Sequence, residues 1–184
     1  MSTAKKSIPE DPRAIQLERH ADKERFQWAM PSASGRARIS CALVGYSKDP
    51  GTLLCEVETS REFWPRGHDD RSQGTIPDLQ VKLPQVLINL ASLKSLRERL
   101  VEWQVNPSAF TLELGAAKGD QQIAFAIGQV QGLICSVDKP ACTLTYACGA
   151  AMQGRWSFVV DQSCIRLCAE AMAEFLRSIE PPLS

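Results

Sequence analysis

A chain of 184 residues, 44% of them apolar and 23% charged, has the length of one domain and the composition of an ordinary globular core, which excludes a fibrous repeat and a wholly disordered chain. Basic and acidic side chains balance at 21 each, so the chain lacks the strong positive field that drives nucleic-acid binding, and nucleic acid is not an expected partner. No stretch approaches the ~20 apolar residues of a membrane helix, and the N-terminal MSTAKKSIPEDPR has no signal-peptide core; the expectation is a cytoplasmic protein without membrane contact.

Residues 1–36 hold seven basic and five acidic side chains, punctuated by Pro9, Pro12, Pro31 and Gly35. This reads as a charged N-terminal arm outside the core. A helix-like run from Arg13 to Met30 lies within it, but Ile15, Leu17, Phe26, Trp28 and Met30 follow no clean helical stripe.

From Arg38 the pattern turns to period two. Ile39, Cys41 and Leu43, then Leu53, Cys55 and Val57, alternate with their neighbours, and Ser47 to Gly51 joins the two strands as a hairpin. Thr59 to Asp78, with Pro65, Gly67, Gly74 and Pro77 among charges, reads as a long irregular loop, a common place for a binding element. Val81 to Asn89 is an apolar run interrupted by Pro84, which suits an edge strand.

A helix is predicted over Leu90 to Gln104, with Leu93, Leu96, Leu100 and Trp103 on its buried side and Asn106-Pro107 as its stop. Four strand candidates follow: Phe110 to Leu114, Gln122 to Val130, Cys142 to Ala147 and Trp156 to Val160. A last helix from Gln162 to Ile179, with Asp161 as N-cap, buries Ile165, Cys168, Met172, Phe175 or Leu176, and Ile179, and ends before Pro181-Pro182. The order predicts an α+β domain over residues 37–184: a mainly antiparallel sheet of about six to seven strands with two packed helices, preceded by the arm.

Seven cysteines at 41, 55, 135, 142, 148, 164 and 168 form no framework spacing and read as free thiols, five of them inside apolar patterns. Cys164 and Cys168, four apart on a helix, could face one metal, but neither a CxxC pair nor suitably spaced histidines complete a tetrahedral set. The two histidines are His20, in the arm, and His68, beside Asp69 and Asp70 in the long loop; without further ligands the loop is read as solvated. Gly115, Gly119, Gly128 and Gly132 belong to no phosphate-loop motif and read as turn and bulge glycines. Glu56 and Glu58 share one strand face, opposite Leu53, Cys55 and Val57, and read as a solvated outer face. No catalytic set, cofactor or metal is expected.

The remaining candidate is Arg61-Glu62-Phe63-Trp64-Pro65-Arg66, two aromatics and two arginines in a loop expected to be exposed. Trp and Arg are the residues that most often anchor protein interfaces, so Arg61, Phe63, Trp64, Arg66, His68 and Arg71 form a candidate protein-binding set. Phe63 and Trp64 could instead fold back over the end of the sheet.

Leu43-Val44-Gly45-Tyr46 with Asp49, Leu53-Leu54-Cys55-Glu56-Val57, the helix ending Leu100-Val101-Glu102-Trp103, the strand Phe110 to Leu114, and Trp156-Ser157-Phe158-Val159-Val160-Asp161 followed by a helix together resemble the WapI-type immunity proteins of bacteria. The likeness runs over Arg38 to Glu180 in element order and hydrophobic punctuation. It implies a cytoplasmic protein that binds and neutralises a cognate toxin, typically the toxic C-terminal domain of a contact-delivered polymorphic toxin. The arm before Arg38, the loop Thr59 to Asp78 and the zero net charge depart from that pattern. The element order also bears comparison with type III secretion chaperones, which dimerise and wrap an unfolded effector segment. A small enzyme is the third reading, and it would need His68 or a cysteine to line a pocket. Oligomeric state is left open.

Overall fold

In the computed structural model, residues 26–61, 79–115, 120–150 and 152–179 are described. They form two four-stranded antiparallel meanders, each followed at once by a helix. The first unit is β1 (Gln27–Pro31), β2 (Ala37–Tyr46), β3 (Thr52–Arg61), β4 (Leu79–Asn89) and α1 (Leu90–Val105); the second is β5 (Phe110–Glu113), β6 (Gln121–Gly128), β7 (Ala141–Cys148), β8 (Met152–Val159) and α2 (Gln162–Ile179). The α+β class and two helices agree with the sequence reading. The single sheet of six to seven strands does not: eight strands are divided between two sheets, A and B.

Alternation sets the faces. Ile39, Cys41 and Leu43 of β2, Leu53, Cys55 and Val57 of β3, and Leu83, Val86 and Ile88 of β4 are buried on one side of sheet A. Phe110, Ile123, Phe125, Ile127, Cys142, Leu144 and Phe158 do the same for sheet B. Leu93, Leu96 and Leu100 of α1 and Ile165, Cys168, Met172 and Phe175 of α2 join them in one core. Each such aliphatic or aromatic side chain contributes about 1.5–3 kcal/mol by leaving water.

Within the stretch expected as an arm outside the core, residues 27–31 form a strand of sheet A. Gln27–Pro31 pairs antiparallel with Arg38 to Ala42, and its alternate residues Trp28 and Met30 are 2% and 0% exposed. Trp28 meets Phe125 of sheet B edge to face at 6.3 Å between ring centroids. The helix-like run expected over Arg13 to Met30 therefore ends in a strand, and its earlier part lies outside the described residues. Thr59 to Arg61, assigned to the loop, extend β3 and pair with Val81 to Leu79.

Pro84 is accommodated at the edge of sheet A by a bulge. The register passes from Val57–Leu83 to Cys55–Val86, so Pro84 and Gln85 together stand opposite Glu56, and Gln85 takes φ 59°. That edge is closed by sheet B. The Gln121 side chain accepts from the Leu87 amide at 3.2 Å and donates to the Gln85 carbonyl at 3.3 Å, as a strand would. The Asn89 amide donates to Leu114 at 2.8 Å and Ile88 bridges Gly115. Elsewhere the Ala33 amide donates to Val159 at 2.9 Å, tying the β1–β2 turn to β8. Two exposed sheet edges are in this way partly covered, which limits pairing with other chains.

Both helices start on a capping residue at the end of a strand. Asn89 Oδ1 accepts from the amides of Ala91 (2.8 Å) and Ser92 (3.3 Å), and Asp161 Oδ1 accepts from the Cys164 amide (3.0 Å) and the Ser163 hydroxyl (2.5 Å). Those bonds, the Ser163 hydroxyl first, lower the Asp161 pKa to about 2.

Candidate functional site

Of the residues singled out for partner binding, Arg61 is described: it ends β3, exposed, on sheet A. Phe63, Trp64, Arg66, His68 and Arg71 lie outside the described residues, as does His20. Cys164 and Cys168 point inward with Cys142 of β7, all three buried, and burial foremost raises the pKa of each thiol, that of Cys142 well above the ordinary range. Cys41 and Cys55 are buried on β2 and β3, where the Cys55 thiol and then burial raise the Cys41 pKa. Among the described residues, no group of three His, Cys, Asp or Glu side chains is placed to hold a metal ion.

The outer faces of the two sheets differ in chemistry. On sheet A, Lys82 Nζ lies 3.4 Å from Glu56 Oε1 and 3.5 Å from Glu58 Oε2, and Gln80 Nε2 donates to Glu58 Oε1 at 2.6 Å. The carboxylates, Glu56 first, raise the Lys82 pKa. Long side chains pairing with one another over a strand face are what a solvated surface carries, as the sequence reading of Glu56 and Glu58 expected.

Sheet B has another arrangement. Its outward residues fall into cross-strand rows: Glu113–Ala124–Thr145–Arg155, Thr111–Ala126–Thr143–Ser157, and Gln122–Ala147–Gln153. The two central strands, β6 and β7, supply mostly Ala and Thr, while the outer strands β5 and β8 supply Glu113, Gln153 and Arg155. The result is a trough. Its floor is Ala124, Ala126, Thr143, Thr145 and Ala147; Thr143 and Ser157 hydroxyls bond each other at 2.9 Å and so leave few free donors on the floor. Glu113, Gln122, Ala124, Thr145, Ala147, Gln153 and Arg155, with Tyr146 and Gly154, line a hollow of about 520 Å³ there.

Alanine is depleted from strands because it packs little against its neighbours, and β-branched or long polar residues are the usual outward choice. Ala124, Ala126 and Ala147 on the outward side of β6 and β7 sacrifice that packing and keep the floor low. The rims carry opposite charge: Glu113 on β5 and Arg155 on β8 stand on one row, three strand spacings or about 14 Å apart, too far to meet. Among the described residues neither makes an ion pair.

Behind the trough, on the opposite side of β8, the Trp156 indole lies over Gly154, where an added Cβ would collide with the ring. Glycine is what allows β8 to begin at Met152, four residues before the strand expected from Trp156.

The trough residues were not singled out from sequence, since none has distinctive chemistry alone. The available signal was the run of outward alanines in two strand-like segments. Taken together, these features define a two-sheet α+β domain with a shallow concavity on the outer face of sheet B. No protein family, curated protein or solved structure matches the chain.

Proposed function

We propose that this chain is a protein-binding domain of the immunity type, which holds a toxin domain on the outer face of sheet B and neutralises it. One observation carries the binding part: a trough with a floor of Ala and Thr and two unpaired rims of opposite charge, on a face where Glu113, Gln122, Thr145, Gln153 and Arg155 are exposed. A solvated sheet face has no need of low side chains or of rims kept apart, whereas a receptor needs both a shaped concavity and a few placed polar groups. The toxin as partner follows from the resemblance to immunity proteins. Neutralisation needs no catalysis: a domain seated against sheet B is removed from its target by mass action.

The test first asks whether a large secreted protein is encoded immediately upstream, as the immunity reading requires, and then co-expresses the chain with that protein's C-terminal domain, scored by colony survival. Survival with the native chain, and its loss with Ala124→Arg, which raises a long cation from the trough floor, is the expected result. Cells that die with the native chain present overturn the immunity reading. Equal protection by native and Ala124→Arg chains removes sheet B from it.

A further inference from the structure

We infer that the trough takes a single α-helix of its protein partner, laid along the strands, with an acidic residue turned toward Arg155 and a basic residue toward Glu113. This rests on the reading of sheet B as the binding face and specifies what it binds.

Width decides first. The rims stand on β5 and β8, about 14 Å apart at the backbone. A helix with its side chains is about 10–12 Å across and fills that interval, whereas a single extended strand, about 5 Å from its neighbour's axis, would leave open channels on both flanks. Along the strands the floor runs from the Gln122–Ala147 row to the Ala126–Thr143 row and is closed beyond it, where Ala141 is fully buried and Ala109 lies over Gly128; four residues at ~3.3 Å give about 13 Å, the rise of roughly nine helical residues.

The floor decides second. Ala124, Ala126 and Ala147 let a helix approach closely, and the outer face of sheet B is the position for a further helical layer in a layered α+β architecture, the inner face already belonging to the core. A second copy of the chain fits less well. Two facing troughs would touch at their rims and enclose a void along both floors.

Charge decides third. With one acidic and one basic rim, a helix carrying Lys on one flank and Glu on the other satisfies both in one direction along the strands; turned end for end on the same face it sets each charge against the rim of like sign. A helix with the same charge on both flanks meets one rim of like sign.

The experiment titrates alanine-based helical peptides of about 17 residues into the ¹⁵N-labelled full chain. One peptide has Lys on one flank and Glu on the other, one has Lys on both, one has Glu on both, and a fourth repeats the first with two central prolines that abolish the helix. The expected result is amide shifts at Ala124, Ala126 and Thr145. The two-sign helix should bind about three- to fivefold tighter than either one-sign helix, as a partly exposed rim pair allows, and the proline peptide should give no shifts. Arg155→Glu should transfer the preference to the helix with Lys on both flanks, and Glu113→Lys to the helix with Glu on both. Shifts from the proline peptide as large as those from the helix overturn the helical occupant while sheet B stands as the binding face. Helix binding that ignores both rim reversals overturns the charge assignment. Absence of shifts from every peptide overturns the helix inference, and the survival assay with its floor variant separately decides the reading beneath it.

Discussion

Replacing Trp28 with alanine should destabilise the whole domain, because β1 is a structural strand of the core. The indole is 2% exposed and meets Phe125 edge to face, so its loss removes a large transfer contribution and leaves a cavity between sheets A and B. Such truncations cost about 3–5 kcal/mol, of which the ring pair accounts for about 0.5–1.5 kcal/mol. Against the total of about 5–15 kcal/mol that holds a domain together this is a large fraction, and in a chain of this length it lowers Tm by about 6–20 °C. Trp28→Phe should behave otherwise. The buried indole N–H lacks a well-formed hydrogen bond and has only the Cys41 thiol, a weak acceptor, beside it, so phenylalanine discards a poorly satisfied donor costing about 1–3 kcal/mol while giving up some area, and the two nearly cancel. Urea unfolding followed by far-UV circular dichroism, with the slope m checked for constancy, measures both. An alanine variant within about 1 kcal/mol of native would refute the placement of β1 in the core. A phenylalanine variant as damaged as the alanine one would show that the indole N–H is satisfied.

Three further outcomes follow from the same contacts. Asp161→Ala should cost about 0.5–2 kcal/mol through the lost cap of α2. Because the folded pKa is depressed from 3.8 to about 2, the cap's contribution is complete above about pH 4 and disappears as pH falls toward 2, so native and Asp161→Ala stabilities should converge over that interval in acid titrations of unfolding. Gln121→Ala removes two bonds that hold the edge of β4 and should cost about 1–2 kcal/mol, with faster exchange of the Leu87 amide as its local signature in hydrogen-exchange NMR; an unchanged Leu87 rate would contradict it. Ellman's reagent should titrate Cys135 and Cys148 first in the native chain and the five buried thiols only after denaturation; prompt reaction of all seven would contradict the packing of Cys41, Cys142 and Cys168.

Elements with a long apolar period were legible in the sequence. The β2–β3 hairpin, the Leu93–Leu96–Leu100–Trp103 stripe of α1 and the capped α2 all lie where their patterns put them. β1 escaped notice because five residues offer only two buried positions, Trp28 and Met30, at the end of a charged run whose composition argued for an arm. The division into two sheets was not local information either: it depends on a bulge at Pro84-Gln85 and on the Gln121 side chain that closes the β4 edge from the other sheet. The strand β8 runs through Gly154 because Trp156, two residues later, covers it, a tertiary compensation that turn propensity does not anticipate.

The site was the least legible part. Sequence reading favours residues with conspicuous chemistry, and it settled on the arginines and aromatics after β3, of which Arg61 alone falls within the described residues. The trough is made of residues conspicuous only by their smallness, and its charged rims, Glu113 and Arg155, become a pair through the register of three strand pairings.

The most direct measurement is the Kd of this chain for the toxin domain that the proposed immunity function requires, compared for three forms: native, Ala124→Leu with Ala126→Leu, and Glu56→Ala. The leucines fill the floor on a face where larger side chains suit a strand, and Glu56→Ala alters the other sheet's outer face. The account predicts at least about tenfold weaker binding when the floor is filled, with folding retained by circular dichroism, and native affinity for Glu56→Ala. Unchanged affinity for the filled floor together with a loss at Glu56→Ala would place the partner on sheet A and contradict it.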